Sequence, residues 1–318
     1  MIRRLDFEPK WFVVGIFFLA GSFIGVLGLF IWLFNGGSIL DVQKIHPAKS
    51  NYKFINPLLA VDTFEKKSFL EDLALRNKVS ALIDREKSKN NIKEASVYYR
   101  DIEPGRWVGI NERNNFSPGN LLKIPIVMAY FKASESSPGL LNKMLVFNGT
   151  PVKIEELIKT MILDDDTDAA NFLFDNIDKN SLDEIYSDLG IEFVETKENS
   201  DYISIKDYSL IIRFLYNATY LNRENSEKAL ELLSETTPGQ GIDLGLEKDL
   251  IVAHKYRTRT YLDKDRTFVE AHDCGIVYFP NHPYLLCMSS VGENKEAVDN
   301  LFKEVGQLTY QDMKNNYK

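Results

Sequence analysis

The stretch FSPGNLLKIPIVMAYF, residues 116–131, decides the fold. Its first part is polar and turn-forming, with Pro118 and Gly119 ahead of a helix. Its second part is an apolar run interrupted once, by Lys123. An ammonium set into an apolar helix is costly unless a partner or a task compensates for it. The helix predicted over 121–133 therefore carries a candidate functional residue near its start.

On the N-terminal side, the apolar spacing of Phe69, Leu73, Leu75, Val79, Leu82 and Ile83 predicts a helix over 62–90. The runs ASVYYRDI and RWVGIN, separated by Glu-Pro-Gly, predict a hairpin between residues 95 and 111. On the C-terminal side, residues 120–236 read as mostly helical, with segments near 153–163, 167–178, 205–216 and 224–234. Three strands follow, in DLIVAHKYRTRTY, HDCGIVYF and YLLCMSSV, and then a helix over 294–313. This order predicts an α+β fold in two lobes. One antiparallel sheet is covered by the terminal helices, an all-helical lobe is inserted, and the cleft between them is the natural ligand site.

Residues 11–34, WFVVGIFFLAGSFIGVLGLFIWLF, contain no charge and at helical rise exceed the roughly 30 Å of a bilayer's hydrocarbon core. A transmembrane helix is expected there. A cleaved signal peptide has a shorter apolar region and a small-residue cleavage site, and neither is visible. Arg3, Arg4 and Lys10 precede the run, while only Lys44 and Lys49 follow within fifteen residues. The expected organisation is a cytoplasmic N-terminus (1–10), the span (11–34), a linker (35–56) and an extracytoplasmic domain (57–318). The membrane is thus one expected partner. A net charge of −8 leaves no basic surface on the scale nucleic acid requires. Cys274 and Cys287 lie opposite each other about the turn Pro280-Asn281-His282-Pro283. They form either a cross-strand disulfide or, the commoner use, two small buried hydrophobes.

Three further stretches carry chemistry together with SPGNLLKIP: MILDDDTDAANFL, VAHKYR and HDCGIVYFPNHPYLL. In this order and context the chain resembles class A β-lactamases and penicillin-binding proteins over about residues 60–312. The resemblance implies a β-lactamase/transpeptidase-like fold and a serine-hydrolase site built from three motifs. In S-x-x-K, a serine hydroxyl sits one helical turn from a lysine that helps remove its proton. The chain keeps Lys123 but has Asn120 at the serine position, and an amide nitrogen is a very poor nucleophile. Ser117, six residues before Lys123, does not replace the serine. The only Ser-x-x-Lys pair in the sequence, Ser50 and Lys53, lies in the linker.

In S-D-N, the serine relays a proton and the asparagine contacts the substrate. Here the triplet is Asp165-Asp166-Thr167. A carboxylate at 165 facing Lys123 would hold it charged, the wrong state for a base; the alternative is that these aspartates cap a helix. In K-T-G, the glycine lets substrate approach the strand. Here the triplet is Lys255-Tyr256-Arg257, and an arginine at the glycine position would fill part of the groove, or else point to solvent. Glu195 and Asn199 reproduce a spacing of the family's deacylation loop, but the segment 190–205 is short for it. No cofactor motif or metal-ligand spacing is present, and His254, His272 and His282 read as structural. The resemblance therefore implies a degenerate member with no intact catalytic set. It is expected to recognise a cell-wall peptide or another envelope protein; an active hydrolase with shifted residues is the alternative.

Overall fold

The computed structural model describes residues 52–57, 70–102, 105–117, 119–191, 194–195 and 201–317. The expected span over 11–34 lies outside the described residues, as does most of the linker. No described helix is long and apolar enough to cross a membrane.

Five strands form the central sheet: β1 (Ile92–Asp101), β2 (Trp107–Ile110), β8 (Val252–Asp263), β9 (Arg266–Val277) and β10 (Tyr284–Gly292). Their order is β2-β1-β10-β9-β8, antiparallel throughout. Every residue of β10 is buried. A central strand covered on both faces has no solvent side on which to place polar residues, so it reads as a continuous apolar run. One face packs on α1 (Leu73–Ser88) and α8 (Lys295–Asn316), through Leu75, Val79, Leu301, Phe302 and Val305.

The opposite face packs on the helical lobe. This lobe consists of α2 (Lys123–Ser136), α3 (Ile154–Leu163), α4 (Thr167–Asp175), α5 (Lys179–Leu189), α6 (Ile205–Tyr216) and α7 (Arg223–Ser234). Two short pairings complete it: a hairpin of β4 (Met144–Phe147) and β5 (Thr150–Lys153), and a ladder of β3 (Asn115–Phe116), β7 (Asp201–Ser204) and β6 (Val194–Glu195). The predicted element order and two-lobed α+β architecture stand.

Four expectations need correction. The first helix begins at Leu73, capped by the Asp72 side chain on the Leu75 amide at 2.9 Å, not at 62; residues 62–69 lie outside the described part. The helix read over 167–178 ends at Asp175, because Asp178 caps a separate helix, α5, through the Asn180 amide. The β4–β5 hairpin interrupts the block read as helical; Asn148 and Gly149 both take positive φ at its turn. Finally, Phe54 and Ile55, assigned to the linker, are buried in the helical lobe. Their backbone amides donate to the Glu227 carboxylate at 2.9–3.0 Å, so the folded unit reaches back past residue 57.

Cys274 and Cys287 face each other across β9 and β10 and are joined as a disulfide, of the two uses the less common one.

Candidate active site

The site lies where the N-terminal end of α2 meets β8 and the α3–α4 connection. Asn120 falls in a 3-10 turn over Gly119–Leu122, and Lys123 is the first residue of α2. The pair therefore keeps the three-residue spacing at a 3-10/α junction, where residues i and i+3 eclipse. Pro125 is tolerated because it sits in the first helical turn, where its missing N–H would have no partner in any case.

Lys123 is buried, and its Nζ donates to both the backbone carbonyl and the Oδ1 of Asp165, each at 2.8 Å. Asp165 also receives the Lys255 Nζ at 2.9 Å, and Lys255 donates further to the Ile162 carbonyl at 2.9 Å. Asp165 takes positive φ (55°), a left-handed turn that brings its carbonyl and its carboxylate to the same ammonium. One carboxylate thus bridges the lysines of two predicted motifs. Burial alone would push the Asp165 carboxyl up, but hydrogen bonds from Lys123 and Lys255, with their charges, hold it below the ordinary carboxylate range. Burial lowers the Lys123 pKa, and the bond to Asp165 offsets this only in part. The expectation that Asp165 would simply hold the lysine charged is half met: the bond exists, yet the net direction is downward.

Asp166 has the capping role. Its side chain accepts from the Ala169 amide at 2.9 Å and starts α4 at Thr167. The capping alternative therefore holds for Asp166 and fails for Asp165. The side chain of Asn120 lies outside the described residues, as does Asn199.

Along β8 the side chains alternate. Lys255 points into the cleft, and Arg257, two residues on, reaches the same face, where its Nη1 lies 3.4 Å from the Ser117 carbonyl. The guanidinium packs on Gly119. A Cβ there would overlap it, and Gly119 has φ +48°, so both the space and the backbone require glycine. Arg257 is half-buried, and burial together with Arg259 lowers its pKa. It fills part of the groove as expected. Tyr256 does not belong to the site, which corrects its assignment. It faces the other side of the sheet, where its hydroxyl donates to Asp299 Oδ1 at 3.0 Å and its ring meets Phe302 edge-on.

Beside Lys123 opens a cavity of about 580 Å³, lined by Leu122, Ile126, Ala170 and Phe174 with Thr167 and Asn171. The spacing of motifs gives no warning of it, because its walls come from α2, α4 and α5 and α5 was not anticipated. Lys123, Lys255 and Arg257 share the site with Asp165, with Asp166 acting on Lys123, Glu270 on Arg257 and Asp183 on the cavity wall, so cationic donors and carboxylates alternate along it. On the face away from the cleft, His254 Nδ1 lies 2.9 Å from Asp273; His272, paired with Arg257 in the ladder and so on the cleft face, stacks on Phe116 at 4.2 Å, and both histidines are buried.

The same architecture occurs in solved structures. PBP-A, in a mutant form as an acyl-enzyme complex with penicillin G, is 19% identical with a TM-score of 0.64, covering 78% of this chain and 98% of that one. TLA-3 extended-spectrum β-lactamase is 17% identical, with a TM-score of 0.66 and coverages of 76% and 98%. A β-lactamase from Sphaerobacter thermophilus is 15% identical, with a TM-score of 0.65 and coverages of 74% and 96%. At these identities the likeness establishes the fold. Comparison with curated proteins gives no match. The family model described as "Beta-lactamase enzyme family" matches residues 74–313, three quarters of the sequence, and the chain belongs to that family.

Proposed function

We propose that this is a membrane-anchored β-lactamase-like domain that recognises a carboxylate-bearing cell-wall peptide without turning it over. The observation that carries the reading is the state of Lys123. Its ammonium is bonded to the carbonyl and the carboxylate of Asp165, three residues after Asn120. Acyl transfer needs a nucleophile next to a group that takes its proton, and an amide nitrogen delocalised into its carbonyl does not attack an acyl carbon. Lys255 and Arg257 would hold a peptide carboxylate, and the cavity beside Lys123 leaves room for an apolar side chain. In this reading residues 11–34 span the membrane with residues 1–10 inside, so the domain meets the cell wall. Recognition of an envelope protein is the second possibility raised by the sequence, but no described feature favours it.

The test uses the full chain in detergent. Intact mass and fluorescent-penicillin labelling should show no covalent adduct, while calorimetry with a peptidoglycan stem peptide should show saturable binding that weakens in Arg257→Ala. An acyl adduct on the unmodified chain would restore the hydrolase alternative. Absence of peptide binding, with stoichiometric recovery of an envelope protein, would favour the scaffold.

A further inference from the structure

The two edges of the central sheet are finished differently. β2 is short, and its outer side is taken: Trp107 donates its amide to the Leu70 carbonyl at 3.1 Å and accepts from the Asp72 amide at 2.8 Å. β8, at the other edge, runs from Val252 to Asp263 in unbroken register with β9, without proline or bulge, the devices that usually protect an edge. The turn Lys264-Asp265 has positive φ at both residues (47° and 68°), so Asp263 and Arg266 close the hairpin as a hydrogen-bonded pair. Odd positions of β8 therefore bond to β9, and even positions turn their N–H and C=O outward. The His254 carbonyl does so, accepting from the Thr236 hydroxyl at 3.3 Å. Among the described residues, no backbone group bonds to the outward N–H and C=O of Thr258, Thr260 or Leu262, and all three residues are exposed.

The side chains name the occupant of this edge. Arg257, Arg259, Tyr261 and Asp263 share the cleft face, cations at one end and a carboxylate at the other, while Thr258, Thr260 and Leu262 share the opposite face. Arg259 is paired with Glu270, and Asp263 with Lys93 at 3.1 Å, yet each side chain remains 40% exposed and open to a further partner. Such a strand is complementary to its own reverse. With a two-fold axis at Thr260, Arg257 of one copy faces Asp263 of the other, Arg259 faces Tyr261, and Thr258 faces Leu262, an apolar side chain now 70% exposed. An axis at Arg259 would instead set two guanidiniums opposite each other, and an axis at Thr258 would set Arg257 against Arg259.

We propose that two copies of this chain join along the free edge of β8, in an antiparallel pairing whose two-fold axis passes through Thr260. The pairing closes about six backbone hydrogen bonds, all from even positions, and makes the two sheets continuous. It needs neither the ligand nor the anchor proposed above. So short a ladder buries little surface, and the association depends on concentration.

The test uses the full chain in detergent, where the two native cysteines are already joined to each other. Thr260→Cys should form a disulfide-linked dimer on mild oxidation, because a hydrogen-bonded antiparallel pair sets its Cα atoms about 5.5 Å apart. Thr258→Cys or Leu262→Cys alone should not, each lying about 14 Å from its own counterpart, whereas a mixture of the two should crosslink. Light scattering should give a dimeric mass that falls on dilution. Thr260→Lys, which opposes two ammoniums across the axis, should return it to the monomer with the parent's circular dichroism and speed hydrogen exchange at the Thr258 and Leu262 amides. A monomeric mass at every concentration with no Thr260→Cys crosslink overturns the proposal. So does a dimeric mass that Thr260→Lys leaves unchanged, which places the contact elsewhere, or self-crosslinking of Thr258→Cys, which moves the axis. Protection of these amides only when a stem peptide is added overturns it too, and assigns the edge to an extended ligand.

Discussion

At the scale of single residues, Asp165 sets the character of the site. Its carboxyl is held below the ordinary range, so it contributes stability that is present above the unfolded carboxylate pKa and lost as pH falls through the folded value. Asp165→Ala leaves two ammoniums facing each other. Because the aspartate side chain is 47% exposed, solvent screening should limit the loss to about 1–2 kcal/mol at neutral pH. Thermal melts should show the difference at pH 7 and a much smaller one near pH 3. The Lys123 pKa should fall further in this variant, since Asp165 is what raises it, and side-chain NMR titration would detect the change. Gly119→Ala meets two obstacles at once, the Arg257 guanidinium and a left-handed backbone. It should cost about 1–2 kcal/mol, and Arg257→Ala in the same chain should recover the steric part alone. Equal stability of the single and double variants would show that Arg257 does not press on this glycine.

At the scale of elements, what the sequence revealed depended on how local the signal was. β10 and α2 are apolar runs of the right length between clear breakers, and both lie where expected. The β4–β5 hairpin also has a local signal, Asn148-Gly149 between apolar residues, but it falls between the helical segments read at 121–133 and 153–163, in a block that reads as mostly helical. α5 is hidden because the run 167–178 reads as one helix, although Asp178 is the cap of the next. Tyr256 illustrates a different failure. Period-two alternation alone puts Lys255 and Arg257 on one face and Tyr256 on the other, yet motif alignment grouped all three. The Asp165 bridge between two lysines was not legible, because Lys123 and Lys255 are brought together by the sheet and by α2, far apart in sequence. Packing of residues 52–57 was also hidden, since it depends on one carboxylate of α7. Glu227→Gln weakens the bonds to the Phe54 and Ile55 amides and should cost about 1–3 kcal/mol. Limited trypsin digestion should then cut at Lys53 well before the rest of the domain; an unchanged cleavage rate would mean that the segment is held by its buried side chains instead.

At the scale of the whole molecule, the two helices that cover the outer face of the sheet are fastened at one residue. Arg106 pairs with Asp72 at 2.7 Å, with Asp312 at 3.0 Å and with Asp101 at 3.4 Å, joining the start of α1, the β1–β2 hairpin and the last turns of α8. Arg106→Ala removes the cation shared by three carboxylates, one of them fully buried, and leaves them only neutral donors such as the Leu75 amide, Asn316 Nδ2 and the Tyr317 hydroxyl; it should cost about 3 kcal/mol, lowering the melting temperature by several degrees in one cooperative transition. A loss confined to fraying of α8, with the midpoint unchanged, would show that the terminal helices are held by their apolar faces alone. The bridge between Cys274 and Cys287 has a practical consequence for anyone who produces the protein. It sits at the middle of the sheet, where neither sulfur meets solvent, so oxidant must reach the pair before the strands close over it. Material folded in a reducing cytosol would carry two sealed thiols that a later change of buffer does not readily join. Counting alkylated sulfurs after denaturation would therefore tell an experimenter on which side of a membrane a given batch matured.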